Sequence, residues 1–252
     1  MNSIIVEDKD ASAADSTQDY MAMRSKLFAQ ISLRHIPRET LRKVLRTFLS
    51  NVSPSIVYRY DIFRKKAYDA DITVSAFSKD EGIEFYNELS SANDSPYTKH
   101  QFALFLQRKN DINMAWNIID QANTDCGGKI FTIANTHAMI LFEKNIGVHC
   151  VAEKIPELKE ILNRSFETLH YCVTKDARVN YHVLVYSRNT IRYIERFGMD
   201  DYAKEYVDNS LARINAILTS GEFIYRRLRE EFISQERAIR ELIRTNHANV
   251  TN

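Results

Sequence analysis

Chain-breaking residues are scarce: this 252-residue chain has six glycines and four prolines. The usual glycine share is about 7%, roughly three times what is present. β-sandwiches, barrels and doubly wound sheets turn on glycine-rich loops, so this chain is poorly equipped to build them. A mostly helical chain needs few breakers. Those present sit as punctuation. Gly127, Gly198 and Gly221 follow apolar stretches, and Pro37, Pro54, Pro96 and Pro156 fall between or at the start of others.

Between the breakers, apolar residues recur at helical spacing. Leu41, Val44, Leu45, Phe48 and Leu49 form an i, i+3, i+4, i+7, i+8 stripe. Met23, Leu27, Ile31 and Leu33 trace another helix, ending near Pro37. Ile56–Tyr68 interleaves aromatic and basic side chains (Tyr58, Arg59, Tyr60, Phe63, Arg64, Lys65, Lys66). Ser78 with Glu81 has capping-box spacing and opens a helix carrying Ile83, Phe85, Tyr86 and Leu89. Further on, helices are expected over 131–144, 156–173, 179–197, 199–219 and 223–244.

Residues 96–128 fit a tetratricopeptide-type hairpin of about 34 residues. Phe102 and Ala103 take the large and small positions of its first helix. Ala115, Ile119 and Ala122 take the contact positions of its second, with Asn110-Asp111 as the turn and Gly127 as the stop. The expected fold is therefore all-α, with antiparallel helical hairpins stacked as a TPR-like solenoid or bundle. Four parts are expected: an acidic flexible segment over 1–19, a helical bundle over 20–95, a TPR-like repeat region over 96–246 and a tail over 247–252.

Charge and cysteine usage narrow the function classes. Thirty-four basic and 33 acidic residues leave a net charge of +1, too small for a strong global field toward nucleic acid or an anionic membrane. Residues 1–19 hold five acids and one base, a net of −4, which leaves about +5 on the remainder. Cys126, Cys150 and Cys172 are odd in number and widely spaced, which reads as reduced thiols in the cytoplasm. The opening residues lack signal-peptide order. The longest apolar run, Ala138–Phe142, is far short of the roughly 20 residues of a membrane span.

The stretch from Tyr20 through Arg24 and Ser25 to Ala29, preceded by the β-prone Ile4-Ile5-Val6, resembles the junction after the winged-helix module of bacterial STAND-type ATPases. His100-Gln101-Phe102-Ala103, with Ala115, Ala122 and Thr136-His137-Ala138, is similar to the helical repeats that follow it. The resemblance spans residues 4–145. It implies the sensing or scaffold region of a larger machine, many of which act in anti-phage defence, and so binding rather than catalysis. The ATPase core has no counterpart. Gly127-Gly128-Lys129 is followed by Ile130 and lacks the first spaced glycine of a phosphate loop.

Residue patterns that could carry chemistry are weak. His149-Cys150 and His170-x-Cys172 match no zinc spacing, so no metal or cofactor is expected. Arg240 and His247 satisfy the loose Arg-x6-His pattern of HEPN-type ribonucleases, and Arg178 with His182 falls one residue short. Asp200-Asp201 at a helix start reads as helix-dipole complementation. Tyr225, Arg226, Arg227 and Arg229 repeat the aromatic–basic alternation that suits nucleic acid. Thirteen tyrosines are many for a chain of this size, and tyrosine is favoured at recognition surfaces. Tyr181, Tyr186, Arg188, Arg192 and Tyr193 are thus the expected partner-binding groove. The expected partner is a protein, phage-derived or another subunit. Nucleic acid, a second copy of the chain and an RNA-cleaving role are the alternatives, and no membrane contact is expected.

Overall fold

A computed structural model describes residues 74, 77–92, 94–175, 180–220 and 226–250, without the side chains of 89, 92 and 247–250. The expected acidic segment, the Ile4–Val6 strand, the helices before residue 74, the Tyr58–Lys66 cluster, Arg178, Gly221 and Tyr225 lie outside this set. Among the described residues all regular structure is helical, as the breaker scarcity predicts. The helices are α1 (Lys79–Ala92), α2 (Pro96–Arg108), α3 (Ile112–Asp125), α4 (Phe131–Ile146), α5 (Ile155–Lys175), α6 (Asn180–Phe197), α7 (Asp201–Thr219) and α8 (Arg226–Val250). A short 3-10 turn, Ala152–Lys154, leads into α5.

The chain divides into two compact units between Asp125 and Cys126. This division falls inside the 96–246 stretch that periodicity groups together. Gly127 and Gly128 follow α3 with φ of +59° and +69°, a left-handed pair that ends the helical run.

In the first unit, the capping box forms as its spacing predicts. The Ser78 backbone N–H and hydroxyl both donate to the Glu81 carboxylate, at 2.7 and 2.6 Å. Phe85 and Tyr86 are both buried; Phe85 stacks on Phe77 at 4.9 Å, and Tyr86 stacks on Phe102 of α2 at 5.0 Å and lies 5.6 Å from Phe105. The α2–α3 hairpin buries Phe102, Ala103, Ala115, Ile119 and Ala122, all five of the positions expected to make the helix–helix contact. Asn110 turns the chain with a left-handed φ of +59°. Asp111 then accepts from the Met114 N–H at 3.1 Å and pairs with Lys79 at 2.5 Å. Those two contacts, the lysine first, hold its carboxyl below the usual range.

Lys99 fastens the other end of the hairpin. Its nearly buried ammonium lies 2.6 Å from Asp125 and 3.0 Å from Asp94. Burial pulls its pKa down, but the two carboxylates outweigh burial and leave it raised. Asp125 sits at the α3 C-terminus, where an anion is disfavoured by the helix dipole, and Lys99 offsets that.

The second unit winds α4, α5, α7 and α8 around α6, and α6 packs on all four. Ten of its 18 residues are buried, several of them polar. Ser187 hydrogen-bonds the Val183 carbonyl and Gln235 of α8, and Thr190 meets Ser210 of α7 at 3.0 Å. These pairings satisfy hydroxyls that would otherwise be costly inside. Gly198 ends α6 at φ +74°. Asp200 caps α7, its carboxylate accepting from the Ala203 N–H at 2.8 Å. The Arg196 guanidinium donates to the carbonyls of Asn145, Ile146 and Val148, placing a cation on the C-terminal end of α4. Helix α8 runs through Val250, past the expected end at 244 and into the expected 247–252 tail. No glycine or proline follows Gly221, so nothing in that stretch stops the helix.

Gly82 is a glycine used for close approach rather than for a turn. It lies inside α1, and a Cβ there would fall 2.0 Å from the Phe105 ring. Alanine would gain about 1 kcal/mol of helix propensity, but a rigid buried ring cannot yield that much space. Gly82→Ala should therefore destabilise the protein by about 1–3 kcal/mol in denaturant unfolding. Adding Phe105→Leu should recover part of the loss, whereas a stabilised Gly82→Ala variant would contradict the packing.

Candidate recognition surface

Helix α6 carries all five residues of the expected groove, but they do not share a face. At 100° per residue, Tyr186 and Tyr193 lie about 100–160° round the helix from Tyr181, Arg188 and Arg192. The two tyrosines are core residues, 4% and 0% exposed. They belong to a cluster around Phe166 of α5. The Phe166 ring stacks on Tyr206 at 3.6 Å, and Tyr186, Phe142 and Tyr193 approach it edge-on at 5.2, 5.6 and 6.1 Å. Tyr186 and Tyr193 are thus withdrawn from the expected recognition groove. They fill the seams between helices, where a large flat ring with a polar tip packs best.

Each phenol of the cluster finds a partner at its margin. Tyr193 donates to Asp200 at 3.0 Å, Tyr206 donates to Asn163 at 2.6 Å, and Tyr186 accepts from Asn209 at 3.5 Å. Asp200 is therefore a junction as well as a cap, because Lys159 of α5 also reaches it at 2.6 Å. The expected dipole role of Asp200-Asp201 holds, and the link from α7 to α5 and α6 is added to it.

Tyr181, Arg188 and Arg192 remain as a strip along the uncovered side of α6. The Tyr181 hydroxyl reaches the Met139 sulfur of α4 at 3.8 Å. Arg188 pairs with Glu231 of α8, and Arg192 lies 4.0 Å from Glu143 of α4 and 5.5 Å over the Phe142 ring. The two arginine side chains are 48% and 43% exposed. The strip thus crosses three helices, with cations on α6 flanked by anions on α4 and α8. Sequence reasoning missed Met139, Glu143 and Glu231, because nothing local to those positions signals which helix lies beside them.

The four candidate metal ligands His149, Cys150, His170 and Cys172 are not brought together as a site. Among the described residues no group of three or more His, Cys, Asp or Glu is placed to hold a metal ion. Cys172 is buried with its thiol 3.5 Å from the Phe131 carbonyl, and His149 is exposed on the loop after α4. His170 borders a cleft of about 10 Å³ with Tyr186, Asn209 and Arg213, room for a single water. Arg240 hydrogen-bonds Glu236 at 2.9 Å on the outer face of α8, and His182 is fully buried. The side chain of His247 lies outside the described residues. No family model, curated protein or solved structure matches the chain.

The phenol cluster fixes an alkaline limit. Burial raises the pKa values of Tyr186, Tyr193 and Tyr206; the negative charge of Asp200 adds to it at Tyr193, and the neighbouring tyrosines add to it at Tyr206. In the unfolded chain these phenols ionise near pH 10. Their contribution is therefore whole below pH 10 and lost as pH rises above it. With all three involved, stability should fall by about 4 kcal/mol per pH unit there. Phenolate absorbance should rise together with unfolding, and Tyr206→Phe should reduce the slope by about a third. Free titration of all the tyrosines while helicity persists would contradict this.

Proposed function

We propose that this chain is a non-catalytic recognition module that binds another protein across the strip formed by α4, α6 and α8. The observation that carries the reading is the alignment of Arg188 and Arg192 between Glu143 and Glu231, with Tyr181 and Met139 at one end. The arginines are half exposed and already oriented by carboxylates on neighbouring helices. Such preorganisation lowers the ordering cost that binding otherwise incurs. Alternating charge selects a complementary partner more than it adds raw affinity. Helices stacked as hairpins leave outer faces free to take this role, as repeat proteins do.

The resemblance to STAND-type ATPases gives this module a setting. It would be the sensing or scaffold region of a bacterial defence or signalling ATPase, in the cytoplasm, with its three cysteines reduced. The buried hairpin positions of α2 and α3 support the TPR-like part of that reading. No helix among the described residues is long and apolar enough to cross a membrane.

The test is affinity capture by the full chain in the cells that express it, with and without phage challenge. A protein held by the wild type at stoichiometric yield should be lost, about tenfold or more, from Arg188→Glu/Arg192→Glu. Helicity should not change. Equal retention by both forms, or no protein at stoichiometric yield, would sink the reading.

A further inference from the structure

The outer face of α8 carries an array that the α6 strip does not use. Arg226, Arg229, Arg237, Arg240 and Arg244 are all exposed. Their spacings of 3, 8, 3 and 4 residues place them within a sector of about 80°, at 100° per residue. The buried stripe of the same helix, Leu228, Phe232, Gln235 and Ile239, is centred about 130° away. From Arg226 to Arg244 the ridge is about 27 Å long at 1.5 Å per residue. Arg226 and Arg240 hold exposed pairs with Glu230 and Glu236, each one helical turn away on the same chain. Pairs of that kind contribute little and are readily exchanged for a stronger anion. Arg229 and Arg237 have no carboxylate partner among the described residues.

We infer that this ridge binds the sugar–phosphate backbone of a nucleic acid. The cations are all arginine, whose planar fork grips phosphate in two places where a lysine makes one point contact. The ridge runs along one helix, and Ile233, 38% exposed, is its one apolar member among the described residues. Protein interfaces are organised around a buried apolar or aromatic centre, which this face lacks. A linear row of cations instead complements a linear row of phosphates. The contacts touch no base edge, so the recognition is of backbone and not of sequence. With a net charge of only +1, the chain has no global field to give the same result by another route.

The experiment measures binding of the full chain to a fluorescent 20-nucleotide single-stranded RNA, the matching duplex and an acidic polyglutamate peptide, across a salt series. Five phosphate contacts on a single strand predict a log–log salt slope near −3.5, or roughly 100-fold weaker binding at 200 mM than at 50 mM salt. Arg229→Gln/Arg237→Gln should cut that to roughly 20-fold with helicity and melting unchanged, since both side chains are exposed. Arg229→Lys/Arg237→Lys should keep the slope while weakening the affinity, because charge remains and the fork is lost. Binding to RNA or duplex that is insensitive to the glutamine pair would overturn the inference. So would no binding at 50 mM salt, or tighter binding to polyglutamate than to either nucleic acid. Because Arg188 and Arg192 are untouched in these variants, failure here leaves the protein-binding reading standing, and the reverse also holds.

Discussion

The second unit depends on the contact between Phe166 and the rings around it. Phe166 projects from α5 and meets Phe142 of α4, Tyr186 and Tyr193 of α6, and Tyr206 of α7, so one side chain ties α5 to three other helices through four neighbouring rings. Removing a buried phenylalanine of this kind typically costs about 3–5 kcal/mol, a large share of what a domain has to spare. The arrangement works because every phenol lies with its hydroxyl toward a polar neighbour at the cluster margin. Asn163, Asp200 and Asn209 are as much part of the core as the rings they receive.

Asp200 shows how closely packing and helix initiation are joined. The same carboxylate caps α7, accepts from Tyr193 on α6 and pairs with Lys159 on α5. The start of α7 is thereby fixed against the two helices it must pack on. Arg196 does the complementary work at the far end of α6, where its guanidinium closes the carbonyls at the end of α4. Both residues lie near the α6–α7 turn, only four positions apart. The turn is therefore a point of assembly, which explains why Gly198, with its left-handed backbone, is placed between them.

Helix type and order were legible because they rest on local signals. The Ser78–Glu81 box, the Asn110-Asp111 turn and the Gly198 stop each act within a few residues, and each forms where its spacing indicates. The contact positions of the α2–α3 hairpin were also legible, since small and large residues alternate at fixed helical spacing. The fate of the tyrosines was not. Tyr181, Tyr186 and Tyr193 look alike along the chain, and only the neighbours of α6 decide which of them faces inward. A helix packed on four others has buried residues almost all round, so its periodicity no longer marks a wet face. The end of α8 was misjudged for the opposite reason. Polar composition near 247 suggested a tail, yet exposed polar residues are what the outer side of a terminal helix requires.

A near-zero net charge conceals as much as it reveals. It argues correctly against a global field, but it averages over faces that differ sharply. On α6 the cations stand among anions from α4 and α8, so the strip is mixed and suits a partner with its own pattern of charge. On α8 the arginines line up in a single row, and two of their acidic neighbours are spent in pairs on the same helix. The difference arises because α6 is surrounded and α8 is not. A central helix has its charges matched by its neighbours, whereas the outer-face arginines of α8 that pair with carboxylates do so within their own helix. Charge therefore becomes informative in this fold only once each residue has been assigned to a face.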